Sequence, residues 1–224
     1  MSAREAILAK VRGSLGASPD DAARAAAVAE RLKKAPKGII PGRGQLPWPA
    51  RVALFCAMAE KLFATVERVK NASAVPKAVA AYLRGHNLPA SLRLGADGRF
   101  SGMPWDRQKT LQLKHGPSDG DDDAGLSYAT AAVAETGTLL MTSGKDNPTT
   151  INFLPEHHIV VVDAADIEGD LEAALGKIRE GYGKGQMPRT VNLISGPSRS
   201  GDIEQKLVLG AHGPRALHII VVGG

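Results

Sequence analysis

The chain has 224 residues, 28 Lys and Arg against 23 Asp and Glu, a net charge of +5 and one cysteine, Cys56. That length builds a full core in one domain, or in one domain plus a helical extension, and no apolar run approaches the ~18 residues that would suggest a membrane helix. A lone cysteine excludes an intrachain disulfide, fits a reducing compartment and excludes a self-contained iron–sulfur cluster, which needs a full set of thiolates.

Charge is unevenly spread. Up to Ser118 there are 20 Lys and Arg against 8 Asp and Glu, and from Asp119 onward 8 against 15. A basic half raises nucleic acid as a partner. The basic residues, however, are dispersed among alanines in helical patterns, and with four Phe, three Tyr and two Trp there is no aromatic platform beside them. A solvated surface fits better, and the polarity equally suits steering of an acidic protein partner.

In chain order, Ser2 and Glu5 form a capping-box pattern ahead of Ile7, Leu8, Val11 and Leu15, so a helix is expected over Ala3–Leu15. Glu5 and Lys10 interrupt any secretory signal, which points to a cytoplasmic start. A second helix over Asp20–Lys34 completes an N-terminal helical arm. Ala35–Pro49 is rich in Pro and Gly and must be irregular. The expected organisation is thus an arm and linker over 1–48 and an α/β domain over 49–224. Helix Arg51–Phe63, strand Thr65–Val69, helix Val75–Arg84 and strand Ser91–Leu94 read as βα units. Cys56 lies in an apolar stretch of the first of these helices, where a buried structural thiol is the simplest reading.

Asp119-Gly-Asp-Asp-Asp-Ala124 reads as a loop or linker; it lacks the ligand pattern of an EF-hand. Beyond it come short segments at Ala129–Ala134 and Thr138–Thr142, strand Ile159–Asp163, helix Asp170–Tyr182, strand Thr190–Ser195, helix Ile203–Leu209 and strand Leu217–Val222. Continuous Val and Ile runs suit strands covered on both faces. The fold class is α/β, with a mostly parallel sheet flanked by helices.

Chemistry concentrates in three stretches. Ser195–Glu204 connects an expected strand to an expected helix and carries Gly196, Ser198, Arg199 and Asp202. A loop that enters a helix N-terminus presents N–H groups and partial positive charge, and Arg199 adds a donor fork for carboxylate or phosphate. This reads either as an anion site at the carboxyl end of a parallel strand or as a plain connection capped by Ser200 or Asp202. Glu135, Thr136, Gly137 and Thr138 place an acid and two hydroxyls in an apolar run. Glu135 is either a general base or nucleophile or a strand-end carboxylate satisfied by hydroxyls and N–H groups. His157 and His158 stand at the mouth of a strand and point to opposite sides, so they cannot share one metal. Each is structural or catalytic. His212-Gly-Pro214 shapes a turn beside the site. There is no HExxH, no zinc spacing, no GxGxxG and no P-loop, so neither metal nor cofactor is expected.

Glu135-Thr-Gly-Thr138, Leu154-Pro-Glu-His-His158, Gly196-Pro-Ser-Arg199 with Asp202-Ile-Glu204, and His212-Gly-Pro214, in this order and spacing, resemble the lactate utilization protein C family of short LUD-domain proteins. Ala6-Ile-Leu-Ala-Lys-Val-Arg12 resembles the same family's opening helix, so the likeness spans nearly the whole chain, densest over Ala124–Val222. Ser200-Gly201 departs from the Thr-Ala expected there. The resemblance implies the fold group of ribose-phosphate isomerase, glucosamine-phosphate deaminase and CoA-transferase. It implies a component of a multi-protein system oxidising L-lactate to pyruvate: the subunit without clusters, working with two iron–sulfur-cluster-bearing partner proteins and binding a small carboxylate or other anion. In that reading Glu135 is the catalytic candidate, and Thr136, Gly137, Thr138, His157, Gly196, Ser198, Arg199, Asp202 and His212 line the anion site. A homo-oligomer is left open. The alternative is an independent enzyme acting on acyl-CoA or phosphosugars with the same fold, in which Glu135 is the base and His157 or His212 shuttles a proton.

Overall fold

The computed structural model describes all residues except 1, 17, 19, 20, 35, 184, 204, 205 and 224, and the side chains outside 201–208. The chain divides into two units, residues 1–39 and 40–224. In the first, α1 (Ala3–Ser14) starts with the capping box: Ser2 Oγ accepts from Glu5 N–H, and the Glu5 carboxylate accepts from Ser2 N–H. Helix α2 (Ala22–Lys34) follows, and neither helix contains a buried residue.

The larger unit begins with a short 3-10 turn at Gly42–Gly44 and α3 (Trp48–Lys61), then β1 (Thr65–Val69), α4 (Val75–Gly85), β2 (Ser91–Leu94) and α5 (Gly98–Ser101). Strands β3 (Gln112–His115), β4 (Ala124–Tyr128), β5 (Ala131–Val133) and β6 (Thr138–Thr142) precede α6 (Thr149–Phe153), β7 (His157–Asp163), β8 (Ile167–Glu168) and α7 (Leu171–Tyr182). The chain ends through β9 (Val191–Ile194), β10 (Arg199–Ile203), β11 (Lys206–Leu209) and β12 (Ala216–Val222). Six strands form one parallel sheet in the order β1-β12-β7-β4-β2-β3. Four more form a second, mixed sheet in the order β8-β5-β6-β9.

Alternation along the strands builds the layers. Ile159 and Val161 of β7, with Ile220 and Val222 of β12, join Val79, Leu83, Leu92 and Phe100 in one core. Val160 and Val162, with Ile219 and Val221, join Phe55 of α3 and Leu139 and Met141 of β6 in another. The second sheet is itself covered on both sides, because Ala131, Val133 and Leu140 pack on Ala174 and Ile178 of α7. The expected α/β class and parallel sheet are therefore present, but one face of that sheet is covered by a second sheet as well as by α3.

Two local expectations are corrected and a third is settled. Ile203–Leu209 is not helical in its described residues: Arg199–Ile203 and Lys206–Leu209 pair antiparallel, and 204 and 205 lie outside the described residues. A seven-residue stretch is too short to hold a helix by itself, and the β-branched and leucine residues satisfy their backbone in the ribbon instead. Strand β9 is antiparallel to β6 and lies in the second sheet, not among the parallel strands. Of the two readings of the acidic run, loop or linker, it is a loop, anchored rather than free: Asp122 is buried and accepts from Arg93 Nε at 2.7 Å and Ser118 Oγ at 2.9 Å, which ties it to β2. The Arg93 and Ser118 hydrogen bonds hold its carboxyl below the ordinary carboxylate value despite burial.

The turn between β5 and β6 is a tight backbone junction. Gly137 has φ of 65°, and a Cβ at that position would lie 2.5 Å from the backbone nitrogen of Ala59. Gly137→Ala is expected to lower stability by about 2 kcal/mol or more, combining left-handed strain with a clash against rigid helix backbone. Gly176, inside α7 with open space around it, is the control: Gly176→Ala is expected to be neutral or to stabilise by up to ~1 kcal/mol. Urea titrations followed by the fluorescence of Trp48 and Trp105, both in the larger unit, check the pair.

Candidate functional site

Alternation also decides which strand-mouth side chains meet. His158 has the parity of Val160, and Leu217 the parity of Ile219, so both face the second sheet; β7 and β12 pair His158 with Leu217. On the other flank His158 pairs with Gly125 of β4. Gly125 carries no side chain because α6 sits directly above it: a Cβ there would lie 2.8 Å from Ile151 Cγ2 and 2.9 Å from its carbonyl oxygen. This close approach brings Asn152 over the sheet, where its Oδ1 accepts from Ser127 Oγ at 2.9 Å, and Ser127 Oγ lies 3.1 Å from His158 Nε2. Ser127, Asn152 and His158 are all at least 98% buried.

A cavity of about 230 Å³ opens beside this chain of polar groups. Asn152 and His158 line one side, and Ser195, Ser198 and His212 bring the other polar atoms. It lies at the amino ends of β7 and β12, where His158 and Leu217 are near the first residues. This differs from the carboxyl-end crevice expected of open parallel sheets. Ser195 follows β9, and its Oγ is 2.7 Å from Thr138 Oγ1, which in turn is 2.8 Å from Thr136 Oγ1. A file of three hydroxyls thus connects the β5–β6 turn to the cavity wall.

Every expected site residue except Asp202 has a described side-chain position or backbone place. Glu135 is buried, and Arg43 Nε donates to its Oε2 at 3.3 Å; the cation, not the threonines, is its side-chain partner. Gly196 lines the cavity with φ of 78°, its Cα side pressed on the backbone of Leu62, where a Cβ would meet the carbonyl oxygen at 2.3 Å. Ser198 N–H donates to Pro214 O, and Ser198 O accepts from Gly210 N–H, which clasps the base of the β10–β11 ribbon. Arg199 is not among the cavity-lining residues. Its guanidinium carbon sits 4.4 Å above the ring of Phe63, and Nη2 donates to Leu62 O at 3.5 Å. Phe63 itself turns the chain out of α3 with φ of 69°. Asp202 has its side chain outside the described ones. His157 faces away from the cavity, with Nδ1 2.9 Å from the hydroxyl of Tyr82.

Sequence reasoning assembled the wrong scaffold for the Ser195–His212 stretch, since no helix N-terminus stands there. The argument for anion binding from helix partial charge falls with it. It named His158 as structural or catalytic without choosing it for the site, and gave no role to Ser127, Asn152 or Ser195. The signal for His158 was present: the residue sharing parity with Val160 and Val162 faces one core and its neighbour faces the other. Ser127 and Asn152 carried no signal, because their meeting depends on how α6 packs on Gly125.

Residues 119–222 match the sequence profile of the LUD domain. The cavity and all its polar groups fall inside this matched stretch. The lactate utilization protein C of Shouchella clausii is 35% identical over 100 residues, 44% of this chain and 44% of that one. The protein of the same name from a Geobacillus species is 37% identical over 101 residues, 45% of this chain and 42% of that one. The matched stretch therefore spans less than half the length of these relatives. A crystal structure of a DUF162 family protein from Deinococcus radiodurans superimposes with a TM-score of 0.59 at 22% identity, over 80% of this chain and 99% of that one; this likeness concerns the fold. Among the described residues no helix is long and apolar enough to cross a membrane, and no group of three or more His, Cys, Asp or Glu could hold a metal.

Burial favours the uncharged form of three histidines at the strand mouths. His158 is pushed down to about 3 by loss of solvent, and His218 to about 4 by loss of solvent and by His86. His157 is lowered as well, mainly by burial and then by His86. The unfolded chain takes up protons at these rings near their ordinary value of 6.5, and the folded chain does not. Stability from this source is therefore complete above pH ~6.5 and declines as pH falls, by up to about 1.4 kcal/mol per ring per pH unit. The loss continues until pH reaches each folded value. The contribution of Asp122, lowered from its ordinary value of 3.8, is complete above that value and is lost only as pH falls below it. Urea midpoints at pH 7.5 and 5.0 are expected to differ by about 2–4 kcal/mol of stability, and His158→Gln is expected to remove about half of the difference. A midpoint independent of pH over this range would contradict neutral burial of the two rings.

Proposed function

We propose that this chain is the cluster-free component of a multi-protein L-lactate oxidation system, and that it binds a small carboxylate in the cavity beside His158. The cavity carries the reading. Its volume of about 230 Å³ is below the roughly 300–1,000 Å³ of sites for drug-sized ligands, which suits a molecule of a few carbon atoms. Apolar walls from Leu217 and Pro214 face polar atoms from Ser195, Ser198 and His212. A carboxylate is served by hydroxyl and imidazole donors of this kind. The names of the relatives aligned over the same segment support lactate as the metabolic context.

Removing two electrons from a 2-hydroxy acid takes a redox cofactor. The only cysteine, Cys56, lies half-buried in α3 with its thiol raised by burial, so it is a poor candidate for cluster ligation. The two cluster-bearing partner proteins of the proposal, acting in the cytoplasm, would carry the electrons. Glu135 is already engaged by Arg43, a state that fits a carboxylate bracing the β5–β6 turn and its hydroxyl file.

Deletion of the gene is expected to abolish growth on L-lactate while leaving growth on pyruvate intact, with wild-type complementation restoring it. Complementation by His212→Ala or Ser198→Ala is expected to restore lactate oxidation at a rate reduced roughly tenfold, the effect of losing one hydrogen bond to a charged group. Lactate oxidation by cells lacking this chain at the wild-type rate would defeat the proposal.

A further inference from the structure

The carboxyl ends of the parallel strands hold a second, separate cavity. Strands β2 and β4 are neighbours in the sheet, but the chain leaves β2 toward β3 on one side and β4 toward β7 on the other. The segments that follow them therefore part, and open α/β sheets bind ligands in the crevice left at such a point. Arg99 spans this crevice. It belongs to α5, after β2, while its Nη1 donates to Ala129 O at 3.1 Å and its Nη2 to Tyr128 O at 3.5 Å, at the end of β4. Its guanidinium carbon lies 3.8 Å from the centre of the Tyr128 ring. The segment after β6 presses on the end of β2: a Cβ on Gly95 would lie 1.9 Å from Asp146 O. Between these segments is a cavity of about 190 Å³. None of the residues that line it is buried, so their side chains are open to a ligand.

The lining has one chemical character. Apart from Gly144, every residue in it carries a hydrogen-bonding side chain, whereas the cavity beside His158 has Leu193, Ile194 and Leu217 in its wall. The charges do not suit an anion. Arg99 is taken up by Asp97, with Nε 2.9 Å from Oδ1 and Nη2 2.6 Å from Oδ2, and Asp146 adds a second carboxylate. Lys145, next to Asp146 in sequence, does not line the cavity. Hydroxyl hydrogens remain to be given. Ser143 Oγ accepts from Thr190 N–H, which leaves its own hydrogen to donate. Thr130 and Thr142 share one hydrogen between oxygens 2.8 Å apart, which leaves the other. A fitting ligand therefore gives and takes hydrogen bonds and carries no negative charge. We infer that this cavity binds a small neutral polyhydroxy compound, an open-chain polyol or an unphosphorylated monosaccharide of about three to six carbon atoms. Each hydroxyl of such a ligand both donates and accepts, so neighbouring ones meet the Asp146 carboxylate and the Ser143 hydroxyl together. A simple ammonium ion would satisfy the carboxylate but offer no acceptor to the hydroxyls. The site is independent of the carboxylate proposed for the other cavity.

The test is a titration of the backbone amides of Ser143, Gly144 and Asn147 in the ¹⁵N-labelled full chain. Glycerol, erythritol and ribitol represent the polyols, and D-ribose and D-glucose the sugars. At least one is expected to move these amides to saturation with a Kd of about 1–10 mM, and which group does so tells polyol from sugar. The phosphate ester of the compound that binds is expected to bind about tenfold more weakly, because it brings negative charge beside two carboxylates. Asp146→Ala, a change on an exposed loop, is expected to weaken the neutral compound about tenfold and to narrow its advantage over the ester. The inference is overturned if no compound saturates the shifts by about 0.1 M, or if the ester binds more tightly than its neutral parent. It is equally overturned if Asp146→Ala binds the parent as the wild type does, or if L-lactate saturates the same shifts. Growth and lactate oxidation by the deletion strain test the other cavity's function separately, so either reading can fail alone.

Discussion

Burial of β7 and β12 on both faces is the constraint from which the rest follows. Each residue of these strands is committed to one core or the other, and a shift of one position would exchange the two sets. Because the strands are parallel and side by side, the commitment is shared: Ile159 and His218 point one way, His158 and Leu217 the other. The polar residues at the amino ends inherit the rule. His157 and His218 join Tyr82, whose ring stacks on His218 at 4.3 Å, and His158 joins Ser127 and Asn152. One strand mouth thus feeds two separate polar clusters on opposite faces of the sheet.

The second constraint is the meeting of backbone with backbone. Gly137 against Ala59, Gly196 against Leu62, Gly125 beneath Ile151 and Gly44 against Gly169 are places where a side chain would not fit. Gln45 Nε2 donates to Asp170 Oδ2, whose other oxygen caps α7 by accepting from Ala173 N–H. These junctions are distributed around the cavity and the β5–β6 turn. They fix the hydroxyl file and the wall at Gly196 more tightly than side-chain packing alone would, since backbone cannot change rotamer.

Most helices and strands were legible in the sequence because their patterns are local. The Val and Ile run of β7 and the amphipathic spacing of α4 and α7 read directly as elements. The motifs Glu135–Thr138, Leu154–His158 and Gly196–His212 fall in the stretch that the LUD profile matches, and Gly196, Ser198 and His212 line the cavity. What failed was long-range. Nothing in Ile203–Leu209 announces that it will pair with Arg199–Ile203, because a short apolar run suits helix and strand alike. The second sheet was unreadable for a related reason. Its strands are three to five residues apart from the two-residue β8, too few for periodicity to speak. The partnership of Ser127, Asn152 and His158 spans three elements and exists only once α6 rests on Gly125.

The β10–β11 ribbon has a consequence of its own. Among the described strands it pairs with no third one, and two-stranded ribbons are marginal in water. Its feet are Ser198 and Gly210, joined by one backbone hydrogen bond, and Ser198 and His212 are also cavity residues. The frame of the cavity therefore has two origins: paired parallel strands carry His158, and the segments flanking a two-stranded ribbon carry Ser198 and His212.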